Sequence, residues 1–438
     1  MRKDVMMISA GLMMMAMASC NQTEYREITE DRVVSQPVDT IKVAGHFYLD
    51  GYLNDLRQQP GQGVHDEPLA VLLLIEEAGR RALFVGVDVC LMSLSRIGGM
   101  RRQLCELLGL EDELLVTSTI HSHSCPNGLR DDSLIDHDTP GYADLVTGLV
   151  VQAASKLPDG LVEVTPQILA THVRGWYSNR NSIEKPFDDE AFVIRFVDAG
   201  GKVVAAMQNF NCHSTVVGPT NMLITSDLQG AVRAELAEWL GVVPYAFTGA
   251  SGDLGNRQFR QGNDFAELKR VPCGIAAELM KGSFEPLHLD APSAREFVYR
   301  VDYDNTQYFP SYRAQLAEAK AVLSDEGSST DARKLAATEV SKLSAKLDVE
   351  RVTFPIAMRI IELGDIVFVT FPGELGSTLG MRIKGMFPGK TCIVIGYAND
   401  SQGYFVPEGD FGLGYESFVT KLPPGGIEKV LDAFEEQL

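Results

Sequence analysis

The stretch LLVTSTIHSHS, residues 114–124, joins an apolar run directly to a polar one. Six of its first seven residues are apolar or β-branched and predict a buried strand, and His121-Ser122-His123-Ser124 follows where that strand ends. Residues i and i+2 of an extended chain point to the same side, so His121 and His123 are expected to face one object. The stretch therefore predicts a buried strand with two histidines at its carboxyl end.

Other apolar runs in the chain end in the same way, in polar segments that contain glycine. These runs occupy residues 81–91, 203–211, 242–247, 366–371 and 391–395. They alternate with helical patterns, which is typical of an α/β fold with mixed β-sheets flanked by helices. Because ligands bind at the carboxyl ends of strands in open α/β sheets, we expect these distant segments to converge there in one active site.

One helical segment interrupts this alternation. Residues 310–347 are rich in Ala, Leu, Glu and Lys, most of which favour helices, and Gly327-Ser328-Ser329 breaks the pattern near its middle. We expect a peripheral helical hairpin, inserted into the α/β fold.

The overall composition is that of a folded, acidic protein. Of 438 residues, 45% are hydrophobic and 22% are charged, and 59 acidic against 39 basic residues give a net charge of -20. This charge has the wrong sign for neutralising nucleic-acid phosphates, so we expect no nucleic-acid partner. It also disfavours attachment to anionic lipid by charge alone, so contact with a membrane requires another cause.

The first twenty residues supply such a cause. A basic Met1-Arg2-Lys3 precedes an apolar stretch, residues 6–18, which is too short to span a bilayer and is typical of an export signal. The stretch runs into Met17-Ala18-Ser19-Cys20, which resembles the bacterial lipoprotein processing box. Cleavage there would leave Cys20 as a lipidated N-terminus, and the alternative is an ordinary secretory signal with a coincidental cysteine.

The N-terminal region is therefore predicted to consist of two parts. Residues 1–20 form a lipoprotein signal peptide, and residues 21–40, which are polar and lack periodicity, form a tether. We expect the protein to be exported and anchored by its lipid to a bacterial membrane, at the periplasmic face or at the cell surface.

Two histidines and a glutamate suggest a metal centre. His121, His213 and Glu374 each follow a different predicted strand, and together they make a His₂Glu donor set. A catalytic zinc typically takes three protein ligands of these kinds and keeps one position for water. No HExxH or CxxC motif supports the set, so two alternatives stay open, structural histidines and a glutamate that caps a helix.

Six cysteines remain when Cys20 is set aside. They are Cys90, Cys105, Cys125, Cys212, Cys273 and Cys392. An exported compartment permits disulfides, but no pairing is compelled by the sequence. Cys90 and Cys392 lie in apolar runs and are predicted to be buried free thiols, whereas pairing of Cys125 with Cys212 stays open.

Several short motifs, in one order, resemble those of the neutral (non-lysosomal) ceramidases. They are Gly63-Val64-His65-Asp66, His121-Ser122-His123-Ser124, Asn179-Arg180-Asn181, Asn211-Cys212-His213-Ser214-Thr215, Thr225-Ser226-Asp227, Gly252-Asp253, Phe371-Pro372-Gly373-Glu374, Tyr404 and Tyr415-Glu416. The resemblance covers about residues 41–420. It implies one catalytic domain over residues 41–438, with residues 310–347 as a helical insertion.

The resemblance also implies an activity. A Zn²⁺ ion would be held by His121, His213, Glu374 and Tyr404, and a zinc-bound water would cleave an N-acyl amide bond in ceramide or a related lipid. The protein would then be a hydrolase of sphingolipid metabolism. From the residues alone, Tyr404 and Tyr415 are better explained as packed tyrosines with bonded hydroxyls.

The resemblance assigns roles to four further residues. His123 is expected to carry the proton to the leaving nitrogen, and Arg180 to hold the carbonyl oxygen or a substrate hydroxyl. Asp253 is expected to support a metal-bound histidine from behind, and Tyr415 to contact the substrate.

The sequence departs from the family pattern at the lining of the predicted site. Gly255 stands where the ceramidases have a serine, Cys125 where they commonly have a glycine, and Ser214 where they have a proline. These differences keep two alternatives open. One is a zinc hydrolase of a polar ester or amide, such as an acylated sugar or a cell-wall fragment, and the other is a catalytically inactive surface lipoprotein that binds a ligand.

Overall fold

The computed structural model of the chain describes residues 62–126, 129, 141–218 and 220–438. Before residue 62 it describes only the backbone of five strands, Met6–Met17, Glu24–Glu27, Val38–Lys42, His46–Phe47 and Gln59–Pro60. Cys20 lies outside the described residues. The signal peptide at residues 1–20, the tether at residues 21–40 and lipidation therefore stay predictions.

Besides the two-residue strand Glu285–Pro286, seven strands after residue 62 belong to one large mixed sheet. They are β1 (Leu69–Glu77), β2 (Arg80–Val87), β3 (Leu115–Thr119), β4 (Val162–His172), β5 (Glu190–Asp198), β6 (Val203–Asn209) and β7 (Tyr245–Phe247). The spatial order is β7-β6-β5-β4, then the backbone of Met6–Met17, then β1-β2-β3. The pairs β2/β3 and β6/β7 are parallel, and the other pairs are antiparallel.

Four strands form a second mixed sheet, in chain order. They are β8 (Ser293–Asp304), β9 (Arg351–Leu363), β10 (Ile366–Thr370) and β11 (Thr391–Ile395). The first three run antiparallel, and β10/β11 is a parallel pair. Both sheets thus contain parallel and antiparallel pairs, as the α/β prediction requires.

Helices cover the outer faces of the two sheets. They are α1 (Leu94–Leu108), α2 (Tyr142–Ala154), α3 (Asp227–Leu240), α4 (Phe265–Met280), α5 (Phe309–Ser324), α6 (Thr330–Leu347), α7 (Ser377–Gly385), α8 (Tyr415–Val419) and α9 (Gly426–Glu435). Helices α1 to α4 pack on the first sheet, and α7 and α9 pack on the second. The described residues therefore form four layers, helix, sheet, sheet and helix.

The two sheets bury their inner faces against each other. Along β1, Leu72 and Leu74 face α1 and α2, whereas Val71 and Leu73 alternate toward the second sheet. Strands buried on both faces require apolar residues at nearly every position, which explains the unbroken run in β1. At the interface, Phe84 of β2 meets Phe368 of β10 edge to face, with ring centroids 5.2 Å apart.

The predicted helical hairpin is present and peripheral. Helices α5 and α6 lie between β8 and β9, which pair directly with each other, so the hairpin projects from the end of a strand pair. The Ser329 side chain caps α6 by accepting the backbone N–H of Ala332 at 3.1 Å. In the described part of the chain, no helix combines the length and the apolar character that a membrane span needs.

Candidate metal centre

Three predicted metal donors meet at the carboxyl ends of strands from both sheets. His121 follows β3, His213 follows β6, and Glu374 follows β10. The Nε2 atoms of His121 and His213 lie 3.3 and 3.2 Å from the same oxygen, Oε2 of Glu374. All three side chains are buried. The three residues that were predicted as metal donors lie in separate segments of the sequence and form one cluster in the structure.

Backbone carbonyls orient both imidazole rings. The Nδ1 atom of His121 lies 2.9 Å from the carbonyl oxygen of Cys90. The Nδ1 atom of His213 lies 2.8 Å from the carbonyl oxygen of Ser251 and 3.1 Å from that of Leu254. A ring nitrogen so placed donates its N–H, which leaves Nε2 as the lone-pair atom that faces Glu374.

The charges of the cluster fit a cation among the donors. Burial, and then the nearby Arg180, lower the pKa of His213 to about 3, so its Nε2 presents a lone pair to the Glu374 carboxylate. Burial disfavours a proton on His121, but Cys90 and Glu374 outweigh it and raise the pKa of His121 to about 9. Without metal, His121 therefore carries a proton at neutral pH, and a cation that displaces this proton would meet two imidazoles and one carboxylate, a donor set that suits zinc.

Tyr404 lies at the edge of this cluster. Its hydroxyl is 3.3 Å from Nε2 of His213 and 3.2 Å from Nη2 of Arg180. The parallel pairing of Glu374–Leu375 with Tyr404–Phe405 brings Tyr404 beside Glu374. Burial and the charge of Glu374 raise the pKa of Tyr404. The predicted fourth ligand is thus within reach of the donor set.

Arg180 lies beside the donors, as predicted, and is fixed by a partner that the sequence did not single out. Its Nη1 is 3.3 Å from Nε2 of His213, and its Nε donates to the buried carboxylate of Glu416. Burial alone would raise the pKa of Glu416, but Arg180 outweighs it, and the pKa lies below its usual value. Both groups of this pair are therefore charged and buried.

His123 and Tyr415 flank the cluster on its accessible side. Nε2 of His123 is 3.0 Å from Nε2 of His121, and the residue is half-buried. Tyr415 is 38% exposed and meets the Tyr404 ring edge to face, with centroids 5.7 Å apart. The structure thus places the predicted proton carrier and the predicted substrate contact next to the donors.

Asp253 supports the site differently from the prediction. Its carboxylate accepts hydrogen bonds from Nδ2 of Asn179 at 2.8 Å and from the backbone N–H of Ser377 at 2.7 Å. Burial raises its pKa to about 6. The N–H of His213 goes to backbone carbonyls instead, so Asp253 ties the segment of Arg180 to the loop after Glu374.

Sequence reasoning missed two further neighbours of His121. The ring of Tyr397 stacks on His121, with centroids 4.2 Å apart, and its hydroxyl lies 3.0 Å from Oγ of Ser251. Sγ of Cys90 lies 3.6 Å from Nδ1 of His121. Tyr397 follows the predicted strand at residues 391–395, and Cys90 lies near the end of the predicted strand at residues 81–91. Their positions at strand ends were therefore visible in the sequence, but their residue types did not indicate a metal site.

The backbone around His121 is held in an uncommon conformation. His121 and Tyr397 have φ of 56° and 52°, in the left-handed region that non-glycine residues rarely adopt. Such conformations cost of order 1 kcal/mol or more each and persist only where surrounding contacts impose them. Here they turn two strand ends toward the common centre.

The six cysteines of the described region are free thiols. Cys125 donates to the carbonyl oxygen of Thr225 at 3.3 Å, and Cys212 lies 3.5 Å from the carbonyl oxygen of His213. The open question of a Cys125–Cys212 disulfide is thereby answered in the negative, and the expectation of free thiols at Cys90 and Cys392 is confirmed.

Comparison with known proteins identifies relatives of one kind. No protein-family model matches the chain. The neutral ceramidase of Drosophila melanogaster is 25% identical over 205 residues, which are 41% of this chain and 28% of that protein. The neutral ceramidase of Pseudomonas aeruginosa is 27% identical over 192 residues, 40% of this chain and 29% of that protein. The chain thus matches less than a third of the length of either relative.

Solved structures extend the similarity to the whole fold. The crystal structure of neutral ceramidase from Pseudomonas aeruginosa superposes with a TM-score of 0.71 at 16% identity, over 100% of this chain and 75% of that one. A ceramidase complexed with C2 gives a TM-score of 0.69 at 16% identity, over 100% and 74%. The four-layer arrangement of mixed sheets and helices is therefore a known fold.

Proposed function

We propose that this chain, which belongs to the neutral ceramidase family by sequence similarity and by fold, is a zinc-dependent hydrolase that cleaves the N-acyl amide bond of ceramide or a related N-acyl lipid. One observation carries the proposal. The Nε2 atoms of His121 and His213 lie 3.3 and 3.2 Å from Oε2 of Glu374, although the three residues come from distant segments. Arg180 and Tyr404 lie beside this cluster. The class of substrate is inferred from the similarity to the ceramidases, and the type of reaction is inferred from the cluster of candidate metal donors.

The metal would be held by His121, His213 and Glu374, with Tyr404 beside them. When bound, zinc lowers the pKa of a bound water from 15.7 to about 7 and polarises the carbonyl group of a substrate. The carbonyls of Cys90 and Ser251 keep the two imidazoles turned so that Nε2 of each points to Glu374. The donor set is thus oriented before a substrate arrives.

Arg180 binds the oxygen of the scissile carbonyl in this proposal. Its guanidinium lies beside His213 and Tyr404, and the carboxylate of Glu416 fixes its Nε. Preorganised donors in a buried site stabilise the negative charge that develops on that oxygen as the carbonyl carbon becomes tetrahedral.

His123 transfers the proton in this proposal. An attacking water gives its hydroxyl to the carbonyl carbon and its proton to His123, which passes that proton to the departing nitrogen as the C–N bond breaks. The products are a carboxylic acid and an amine, and transfer of the acid proton to the amine or to solvent leaves the carboxylate. Because His123 is half-buried and 3.0 Å from His121, its ring can reach both the centre and a bound substrate.

The proposal includes the location of the protein at a membrane. Export and a lipid at Cys20 would hold the site at a membrane, where a lipid substrate is present, despite the net charge of -20. Replacing Cys20 with serine should release the protein from the membrane fraction without changing the activity of the purified chain.

Zinc content and amide hydrolysis of the purified protein test the proposed function. His121→Ala and Glu374→Ala are expected to lose bound zinc and the release of amine from a short-chain ceramide. His172→Ala is the matched control, because His172 is exposed and paired with Asp189 away from the cluster. Full zinc occupancy in both cluster variants would overturn the metal site, whereas zinc binding without ceramide turnover would overturn only the substrate.

A further inference from the structure

A second group of donors surrounds His121, on the side of Cys90. Sγ of Cys90 lies 3.6 Å from Nδ1 of His121, and Nε2 of His123 lies 3.0 Å from Nε2 of His121. Cys90, His121 and His123 offer one ligand atom each, and these atoms lie within 4.8 Å of one another. Ligands at 2.0–2.3 Å from one ion span at most about 4.6 Å, so the group needs little adjustment to hold a cation.

The sulfur makes this group chemically different from the His₂Glu set. Thiolate is a soft ligand that selects thiophilic ions, whereas a carboxylate is hard. Cys90 is buried beside the imidazole, while Cys125 and Cys212 have their thiols directed to backbone carbonyl oxygens. Cys90 is thus the buried cysteine of the described region whose sulfur lies in a cluster of potential metal ligands.

We propose that Cys90, His121 and His123 form an alternative cation site that binds a thiophilic divalent ion, such as Cd²⁺. While this site is occupied, the His121–His213–Glu374 set cannot hold a cation, because the two sites share His121. A neutral imidazole has one lone pair, so His121 serves one cation at a time. When a cation binds, the proton held between the Cys90 sulfur and the His121 imidazole is released to solvent, and the thiolate and the two imidazoles become the ligands. The proposal concerns cation binding and does not depend on the reaction of the enzyme.

Cadmium titration of the metal-free full chain tests the site. Cys20, Cys105 and Cys273 are first changed to serine, because Cys105 and Cys273 are half-buried and would bind cadmium on their own. Ultraviolet absorption from thiolate-to-cadmium charge transfer is expected to appear with one bound Cd²⁺ per chain. The absorption should vanish in Cys90→Ser and in Cys90→Ala. The affinity for Cd²⁺ should fall by more than the roughly 10- to 100-fold that loss of a supporting contact costs.

Matched variants separate this site from the His₂Glu set. Cys392→Ser, which removes a buried thiol of the second sheet, should keep the absorption, and so should Glu374→Gln, which removes only the carboxylate donor. With Zn²⁺ and Cd²⁺ both in excess, total bound metal should stay at one ion per chain. No absorption in the parent chain, equal absorption in Cys90→Ser, or two ions bound at once would overturn the proposal.

Discussion

Two glycines of one loop differ in what surrounds them. A Cβ added at Gly255 would meet Cβ and Cδ of Arg180 at 3.5 and 3.9 Å, which is ordinary contact, whereas one at Gly252 would meet the carbonyl oxygen of Glu374 at 2.6 Å. Gly255→Ser should therefore lower the free energy of unfolding by about 1 kcal/mol or less. Gly252→Ser should lower it by about 1–3 kcal/mol, because it overpacks the loop of a metal donor.

Urea unfolding of the two glycine variants checks this difference. Gly255→Ser also returns a hydroxyl to the position where the ceramidases have a serine, so its amide hydrolysis shows whether that hydroxyl matters here. Equal destabilisation by both substitutions would contradict the predicted environment of Gly255.

The buried ion pair of Arg180 and Glu416 is expected to be essential to stability. Glu416→Ala leaves a buried guanidinium without its carboxylate, and such losses cost about 3–5 kcal/mol. Asp432→Ala breaks an exposed pair with Arg382 and should cost less than about 1 kcal/mol. Thermal unfolding of both variants measures the contrast, and a Glu416→Ala protein as stable as Asp432→Ala would contradict it.

His213 gives the metal-free protein a specific dependence on pH. Its pKa is about 3 in the folded state, owing to burial and Arg180, against 6.5 in the unfolded state. Between these values the unfolded state binds more protons, so acidification destabilises the fold by up to about 1.4 kcal/mol per pH unit. His213→Gln should show a shallower loss of unfolding free energy from pH 6 to pH 4. Parallel pH profiles of the two proteins would refute this assignment.

Among single residues, the candidate metal donors were easier to predict from the sequence than the residues that position them. His121, His213 and Glu374 were recognisable because polar residues directly after apolar strands converge at a sheet edge. Glu416 was not, because its role depends on contact with Arg180, which is 236 residues away in the chain. Cys90 looked like a small apolar residue because it ends an apolar run.

Among the elements, the α5–α6 hairpin is expected to be dispensable for the core. Asp304 and Arg351 are paired at the open end of β8 and β9, so a two-residue Asn-Gly turn can replace residues 305–350. Helix α6 packs against α8, which carries Glu416. The shortened chain should fold and bind zinc within about threefold of the parent affinity, but hydrolyse its substrate more slowly because Arg180 is less firmly held.

Zinc titration and kinetics of the shortened chain measure this separation. The parent chain with Asn-Gly inserted between Gly327 and Ser328, in the turn between the helices, is the control and should behave as the parent. Loss of zinc binding on removal of the hairpin would show that the hairpin belongs to the core after all.

Elements of four or more residues were more predictable than the shortest ones. The apolar runs at 114–120, 366–371 and 391–395 became β3, β10 and β11 within one residue at each end. The pair that joins Glu374 to Tyr404 consists of two-residue strands, which are too short to leave a periodic pattern. Their parallel pairing depends on the tertiary packing of the second sheet.

Considering the fold as a unit, the candidate metal centre combines residues from the two sheets. His121 and His213 follow strands of the first sheet, and Glu374 follows a strand of the second. A cation that binds only the folded state stabilises it by about 4 kcal/mol when its free concentration is a thousandfold above Kd. A chelator should therefore lower the melting temperature of the parent chain and of His172→Ala, but leave that of Glu374→Ala unchanged. A chelator effect of equal size in Glu374→Ala would contradict a centre that includes this residue.

The distribution of the donors along the chain also dictates when the centre can form during synthesis. In the sequence, His121 comes first, His213 follows it, and Glu374 and Tyr404 come last. No nascent chain that stops before Glu374 holds the three candidate donors, so at least 374 residues must be synthesised before a cation could bind all of them. If the candidate centre binds a metal, loading would thus follow synthesis of all three donor segments, and the compartment in which the chain folds would determine which ion it receives.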